Sequence, residues 1–98
     1  MDIIKSLEDN LLTITLSGEL NTVTAPDLEA AIEADLKTAN DIVFDMTDLT
    51  YITSAGLRIL LVCQQEVEER GRVIVRGALP EIREVIEITG FDAILTLE

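Results

Sequence analysis

The fold turns on Asp45-Met46-Thr47-Asp48-Leu49-Thr50-Tyr51-Ile52-Thr53-Ser54-Ala55-Gly56-Leu57-Arg58. Upstream lies Ile42-Val43-Phe44, apolar at every position, as suits a strand that helices cover or that lies centrally in a sheet. From that strand the chain reads as a short polar turn and then runs directly into a helix. A helix that begins Thr53-Ser54-Ala55-Gly56 offers unpaired backbone N–H groups and two hydroxyls with almost no side-chain cover. Such a surface accepts a phosphate or a partner's side chains, so function is expected here.

Downstream, the helix is expected from Ser54 to Arg70. Its first half is apolar nearly all round (Leu57, Ile59, Leu60, Leu61, Val62, Cys63), its second half turns acidic at Glu66, Glu68 and Glu69, and Gly71 reads as a C-cap. Val73-Ile74-Val75 forms a strand that Gly77 breaks. Pro80 sits where a first helical residue would. Ile82, Val85, Ile86 and Thr89 mark the inward face of that helix, Gly90 stops it, and Ala93 to Leu97 forms a last strand.

Upstream, residues 3–7 and 11–17 read as strands joined by the polar turn Glu8-Asp9-Asn10. Leu12, Ile14 and Leu16 alternate with Leu11, Thr13, Thr15 and Ser17, the period-2 pattern of a sheet with one buried face. Gly18 marks a bulge or turn. A helix is expected from about Thr24 to Ala39, with a capping box at Thr24 and Asp27 and a hydrophobic staple between Val23 and Leu28. Leu28, Ala31, Ile32 and Leu36 form its apolar stripe; Glu29, Glu33, Asp35 and Lys37 form its solvated face. The order ββαβαβαβ predicts an α/β domain over residues 1–98. Its sheet is mixed, opening with an antiparallel hairpin and covered by three main helices.

Composition narrows the chemistry. The chain has 98 residues and 48% apolar content, enough for one modest core. Its net charge of −12 opposes nucleic acid and anionic membrane surfaces and favours a partner with a basic or mixed-charge face. With no histidine and a single cysteine, Cys63, the chain cannot assemble a Ser-His-Asp or Cys-His unit, a phosphohistidine relay, a His/Cys zinc site or an internal disulfide. A reducing cytoplasm fits that inventory. Asp2 and the lack of a long apolar core argue against a signal peptide, and the apolar run Ile59–Cys63 is too short to span a bilayer.

Ser54 has two readings, and composition and spacing are compatible with both. In one, Thr53 or Ser54 only caps the helix, with Ile52 and Leu57 stapling its start. In the other, Ser54 is a regulatory phosphoserine whose charge of about −1.5 to −2 sits at the positive end of a helix. Arg58, one turn on, is either solvated or a partner contact. Gly56 costs roughly 0.5–1 kcal/mol relative to alanine inside a helix, which close approach by a partner or a neighbouring loop would explain. Cys63 reads as core. Asp45 and Asp48 raise a receiver-like phospho-aspartate site, but that chemistry wants a nearby lysine and the chain has only Lys5 and Lys37.

Ile52-Thr53-Ser54-Ala55-Gly56-Leu57-Arg58, preceded by Asp45 and Asp48-Leu49, resembles the signature of STAS domains of the bacterial anti-sigma-factor antagonist type. Gly18-Glu19-Leu20-Asn21, then Thr24-Ala25 and Leu28, agree at matching offsets. The resemblance covers essentially the whole chain, and it implies a mechanism. The serine at the place of Ser54 is phosphorylated by an anti-sigma factor that is itself a serine kinase, and a metal-dependent phosphatase removes the phosphate. The unphosphorylated antagonist captures the anti-sigma factor and frees a sigma factor. The chain then needs no cofactor, holds no metal and catalyses nothing. Its partner surface is Asn21, Thr22 and Thr24 together with Thr53, Ser54, Ala55, Gly56, Leu57 and Arg58. Many members carry aspartate at the places of Thr53 and Asn21, so this chain lacks two negative charges there and Thr53 becomes a rival acceptor. A STAS scaffold subunit of a larger signalling or lipid-transport assembly, never phosphorylated, is the alternative the resemblance leaves.

Overall fold

A tight hairpin opens the chain. The computed structural model describes residues 1–98, and in it β1 (Asp2–Glu8) pairs antiparallel along its whole length with β2 (Leu11–Leu20). Asp9 and Asn10 make the two-residue connection, with φ of 50° and 65°. Positive φ at both positions lets so short a turn follow the right-handed twist of its strands, and Asp and Asn tolerate it.

On the other side of β2, three strands add in sequence order, each parallel to the one before: β3 (Asp41–Ile52), β4 (Val73–Arg76) and β5 (Thr96–Leu97). The crossovers contain α1 (Ala25–Ile32), α2 (Ser54–Val67) and α3 (Pro80–Ile88). Strands added in one direction through crossovers of one hand place every helix on the same face. One hydrophobic core accordingly draws Leu28 and Ile32 from α1, Leu57 and Leu60 from α2, and Ile82 and Ile86 from α3. Against them it takes Leu12, Ile14 and Leu16, Ile42 and Phe44, and Val73 and Val75. Val43 and Ile74, at the alternate positions, are buried outside this cluster, on the face without helices. The α/β class, the mixed sheet and the order ββαβαβαβ are as expected.

Several boundaries differ, each for a tertiary reason. No turn separates Phe44 from α2: β3 runs on to Ile52. Between Thr15 and Ser17 of β2 it advances from Asp45 to Asp48, and between Gly18 and Glu19 from Leu49 to Tyr51. Each step inserts one extra residue on β3, a β-bulge, and two bulges destroy the alternation by which a strand is recognised. Gly18, with φ 94°, sits at the second bulge, where its carbonyl accepts the Thr50 hydroxyl at 3.0 Å.

The first helix ends at Ile32 rather than Ala39, followed by a 3₁₀ turn at Asp35–Lys37. Distant cations take carbonyls at the end of the helix and along the segment that follows it. Lys5 donates to the Ala31 carbonyl and to Asp35, while Arg70 donates to the carbonyls of Leu36 and Ala39. α2 stops at Val67, and Gly71 is not a left-handed C-cap. A Cβ there would overlap the Asn40 carbonyl and the Asp41 carboxylate, so Gly71 exists for close packing. Thr89 is exposed rather than inward, and its hydroxyl donates to the carbonyls of Val85 and Ile86. The last strand shrinks to two residues because a 3₁₀ turn takes Phe91–Ala93.

Candidate functional site at the start of the second helix

β2 and β3 finish side by side. Leu20 pairs with Ile52, and the Thr53 N–H then donates to the Leu20 carbonyl at 3.0 Å. The loop that leaves β2 and the helix that leaves β3 therefore start together at the carboxyl ends of parallel strands. Open α/β sheets place binding sites at such ends.

The loop is ordered by a capping box that lies three residues upstream of the expected one. Asn21 Oδ1 accepts the N–H groups of Val23 at 2.9 Å and Thr24 at 3.0 Å. In return Thr24 Oγ1 accepts the Asn21 N–H at 2.9 Å, and its own proton goes to the Glu19 carbonyl at 2.9 Å. Ala25 N–H closes the turn on the Asn21 carbonyl at 2.8 Å. Asn21 is thus the functional N-cap and Thr24 the reciprocating N3 residue. Thr24 makes no side-chain cap to Asp27, and Val23 is no staple: it stands 82% exposed. Thr24 Oγ1 is turned toward Asn21 and Glu19 and makes no hydrogen bond to the turn that follows. Thr22 is exposed in the same loop.

At the start of α2, Thr53 is extended (φ −107°, ψ 177°) and its carbonyl accepts the Leu57 N–H at 3.0 Å. Its hydroxyl does not cap the helix: Thr53 Oγ1 is buried without a hydrogen-bond partner. No acidic side chain occupies the first turn. Ser54, the first helical residue, is exposed, Ala55 is half-buried, and Arg58 is exposed on the next turn without an ion pair. Gly56 and Leu57 face inward. A Cβ at Gly56 would lie 2.7 Å from Leu20 Cγ and 2.8 Å from Ile52 Cγ1, so the close neighbours are the chain's own strand ends and not a partner. Gly56 and Leu57 shape the surface from beneath. Leu20, which sequence reasoning missed, locks loop to helix through its carbonyl and its side chain; only its place beside Asn21 hinted at that role.

The aspartates of β3 do other work. Asp45 Oδ1 accepts both the hydroxyl and the N–H of Thr47, at 2.7 and 3.0 Å, within the first bulge. Those two hydrogen bonds hold its carboxyl below the usual range, with a smaller contribution from the charge of Arg76. Lys5 is committed to α1 and Asp35, and no three acidic side chains converge to hold a metal. Nothing here assembles a receiver-like site. Cys63 is fully buried, and that desolvation, then the charges of Glu29 and Glu66, push its thiol up to about 12. No helix is long and apolar enough to cross a membrane.

The sequence profile of the STAS domain matches residues 3–98. The chain belongs to the STAS family. Among its STAS relatives, a Bordetella bronchiseptica protein named BtrV and assigned as an anti-sigma factor antagonist is 40% identical over 85 residues, 85% of this chain and 73% of that one. Among solved structures, an anti-sigma factor antagonist from Mycobacterium paratuberculosis is 31% identical, with a TM-score of 0.87 over 98% of this chain and 83% of that one. The Bacillus cell fate determinant SpoIIAA in its phosphorylated form superposes with a TM-score of 0.78 at 21% identity, over 99% of this chain and 91% of that one. At that identity the last match speaks for the STAS fold alone.

Proposed function

We propose that this STAS domain, acting as one unit over residues 1–98, is a phosphorylation-switched anti-sigma-factor antagonist in the cytoplasm. Unphosphorylated, it binds a serine-kinase anti-sigma factor through the Asn21–Thr24 loop and the start of α2, and so releases a sigma factor. The kinase brings the ATP and closes the surface by phosphorylating Ser54. A metal-dependent serine phosphatase reopens it. The chain itself carries out no catalysis and needs no cofactor.

One observation carries the reading: Ser54 presents an exposed hydroxyl at the first position of a helix that no side chain caps. A phosphate there meets free N–H groups and the positive end of the helix, an interaction worth about 0.3–1 kcal/mol at an exposed site. Inhibition must therefore act on the partner, through charge and bulk, and not through unfolding. Thr53 is the poorer acceptor because its Oγ1 is buried. The relatives named as anti-sigma factor antagonists support the partner class.

Intact-mass analysis after incubation with the cognate kinase and ATP tests the assignment. One phosphate is expected, stable to hydroxylamine as a serine ester is, retained in Thr53→Val and absent in Ser54→Ala. Phosphorylation of Ser54→Ala to the parent level would overturn it.

A further inference from the structure

We infer that the groove between α1 and α2 is a docking site for a basic amphipathic helix of a partner protein. The groove is the one sizeable concavity of the molecule, with a volume of about 420 Å³. Its floor is apolar, with Ile32 and Ile59 reaching it from the core. Ala30 is exposed at its rim, and Val62 stands there 44% exposed although it belongs to the most apolar run of the chain.

Charge selects the occupant. Glu29 on α1 and Glu33 at its C-cap, one helical turn apart, line the same groove, and neither forms an ion pair. Like charges at that spacing repel, so the free chain holds an unneutralised pair of carboxylates beside open apolar surface. Lysines or arginines from outside would relieve both. The influence of Glu29 reaches the floor, where it adds to the effect of burial on the Cys63 thiol. Arg58 lines the groove from α2, so the two walls differ in sign and favour one orientation of an incoming helix. A helix that lays an apolar stripe into such a channel and carries basic residues toward α1 satisfies both features. A fatty acid would set its carboxylate against two acids for the one base at Arg58, and a second copy would bring its own net charge of −12. The groove shares only Arg58 with the proposed partner surface at the start of α2, and its other lining residues lie outside that surface.

Titration of the isotope-labelled chain with a synthetic leucine–lysine helix tests this, using a peptide of about 18 residues so that it can form a stable helix. The peptide carries leucines along one face and lysines flanking them, and amide shifts report its position. Shifts confined to α1 and α2 around the groove are expected. Val62→Glu and the double reversal Glu29→Lys/Glu33→Lys should each weaken binding about tenfold or more, since both strike the centre of the contact. Reversal of two exposed acids on α3, Glu81→Lys/Glu84→Lys, should leave it within about twofold. The proposal is overturned if the α3 reversal weakens binding as much, if a leucine–glutamate counterpart binds equally, or if the lysine peptide leaves the groove amides unmoved. Groove amides shifted by decanoate alone, or by dimerisation of the free chain, would reassign the groove and overturn it as well.

Discussion

Gly56 is where the two halves of the proposed surface are pressed together. A methyl group at this position would meet Leu20 Cγ and Ile52 Cγ1 inside contact distance. Alanine would ordinarily gain roughly 0.5–1 kcal/mol over glycine within a helix. Here overpacking, typically about 1–3 kcal/mol, outweighs that gain. Gly56→Ala should therefore lower the urea midpoint of unfolding; an unchanged or raised midpoint would mean that α2 shifts freely away from the strands. That the glycine was out of place in a helix was legible in the sequence, whereas its neighbour was not, because Leu20 meets it only through the β2–β3 pairing. Ser54 was legible as a helix start with a hydroxyl. The burial of the Thr53 hydroxyl was not, since side-chain pattern alone does not say which of two adjacent hydroxyls faces water.

At the scale of elements, the capping box at Asn21 and Thr24 does for the loop what Gly56 does for the helix. Asn21→Ala removes the acceptor of two N–H groups and should cost about 0.5–2 kcal/mol. Asn21→Asp keeps an acceptor at the same place and should hold the stability of the parent. Denaturant melts of the two variants distinguish the cases, and amide exchange at Val23 and Thr24 should quicken only in Asn21→Ala. Sequence spacing placed this motif one turn too late because Thr24-x-x-Asp27 also fits the pattern. The competing partner, the Glu19 carbonyl, becomes visible only once β2 is folded. β3 was misread for a related reason. Its core residues Met46, Leu49 and Ile52 recur every third position across the two bulges, a spacing that belongs to neither a plain strand nor a helix. β2 carried clean alternation, β4 a short apolar run and α3 its inward Ile82 and Ile86, and these were legible.

For the whole molecule, strand order and net charge decide behaviour. Sequential addition of parallel strands puts all three helices on one face of the sheet and leaves the other without any. Three ion pairs engage only three of the chain's 19 acids, and each includes an exposed partner. Repulsion among the remaining carboxylates should weaken the folded state at low ionic strength. Raising sodium chloride from about 0.01 M to about 1 M shortens the screening length from about 30 Å to about 3 Å. A gain of about 1 kcal/mol would raise the melting temperature of a chain this size by about 4–8 °C. A melting temperature that is flat or falls with salt would show that the acids are already well separated.

The central claim is that one phosphate on Ser54 closes a docking face while the domain beneath stays folded. The affinity of the cognate serine-kinase anti-sigma factor for the chain with Ser54, set against its affinity for the chain with phosphoserine installed at 54 during translation, tests it most directly. The account predicts binding at least about tenfold weaker for the phosphorylated chain, a loss of about 1.4 kcal/mol or more, with no drop in its unfolding midpoint. Equal affinity, or weaker binding that comes with a lowered midpoint, would contradict it.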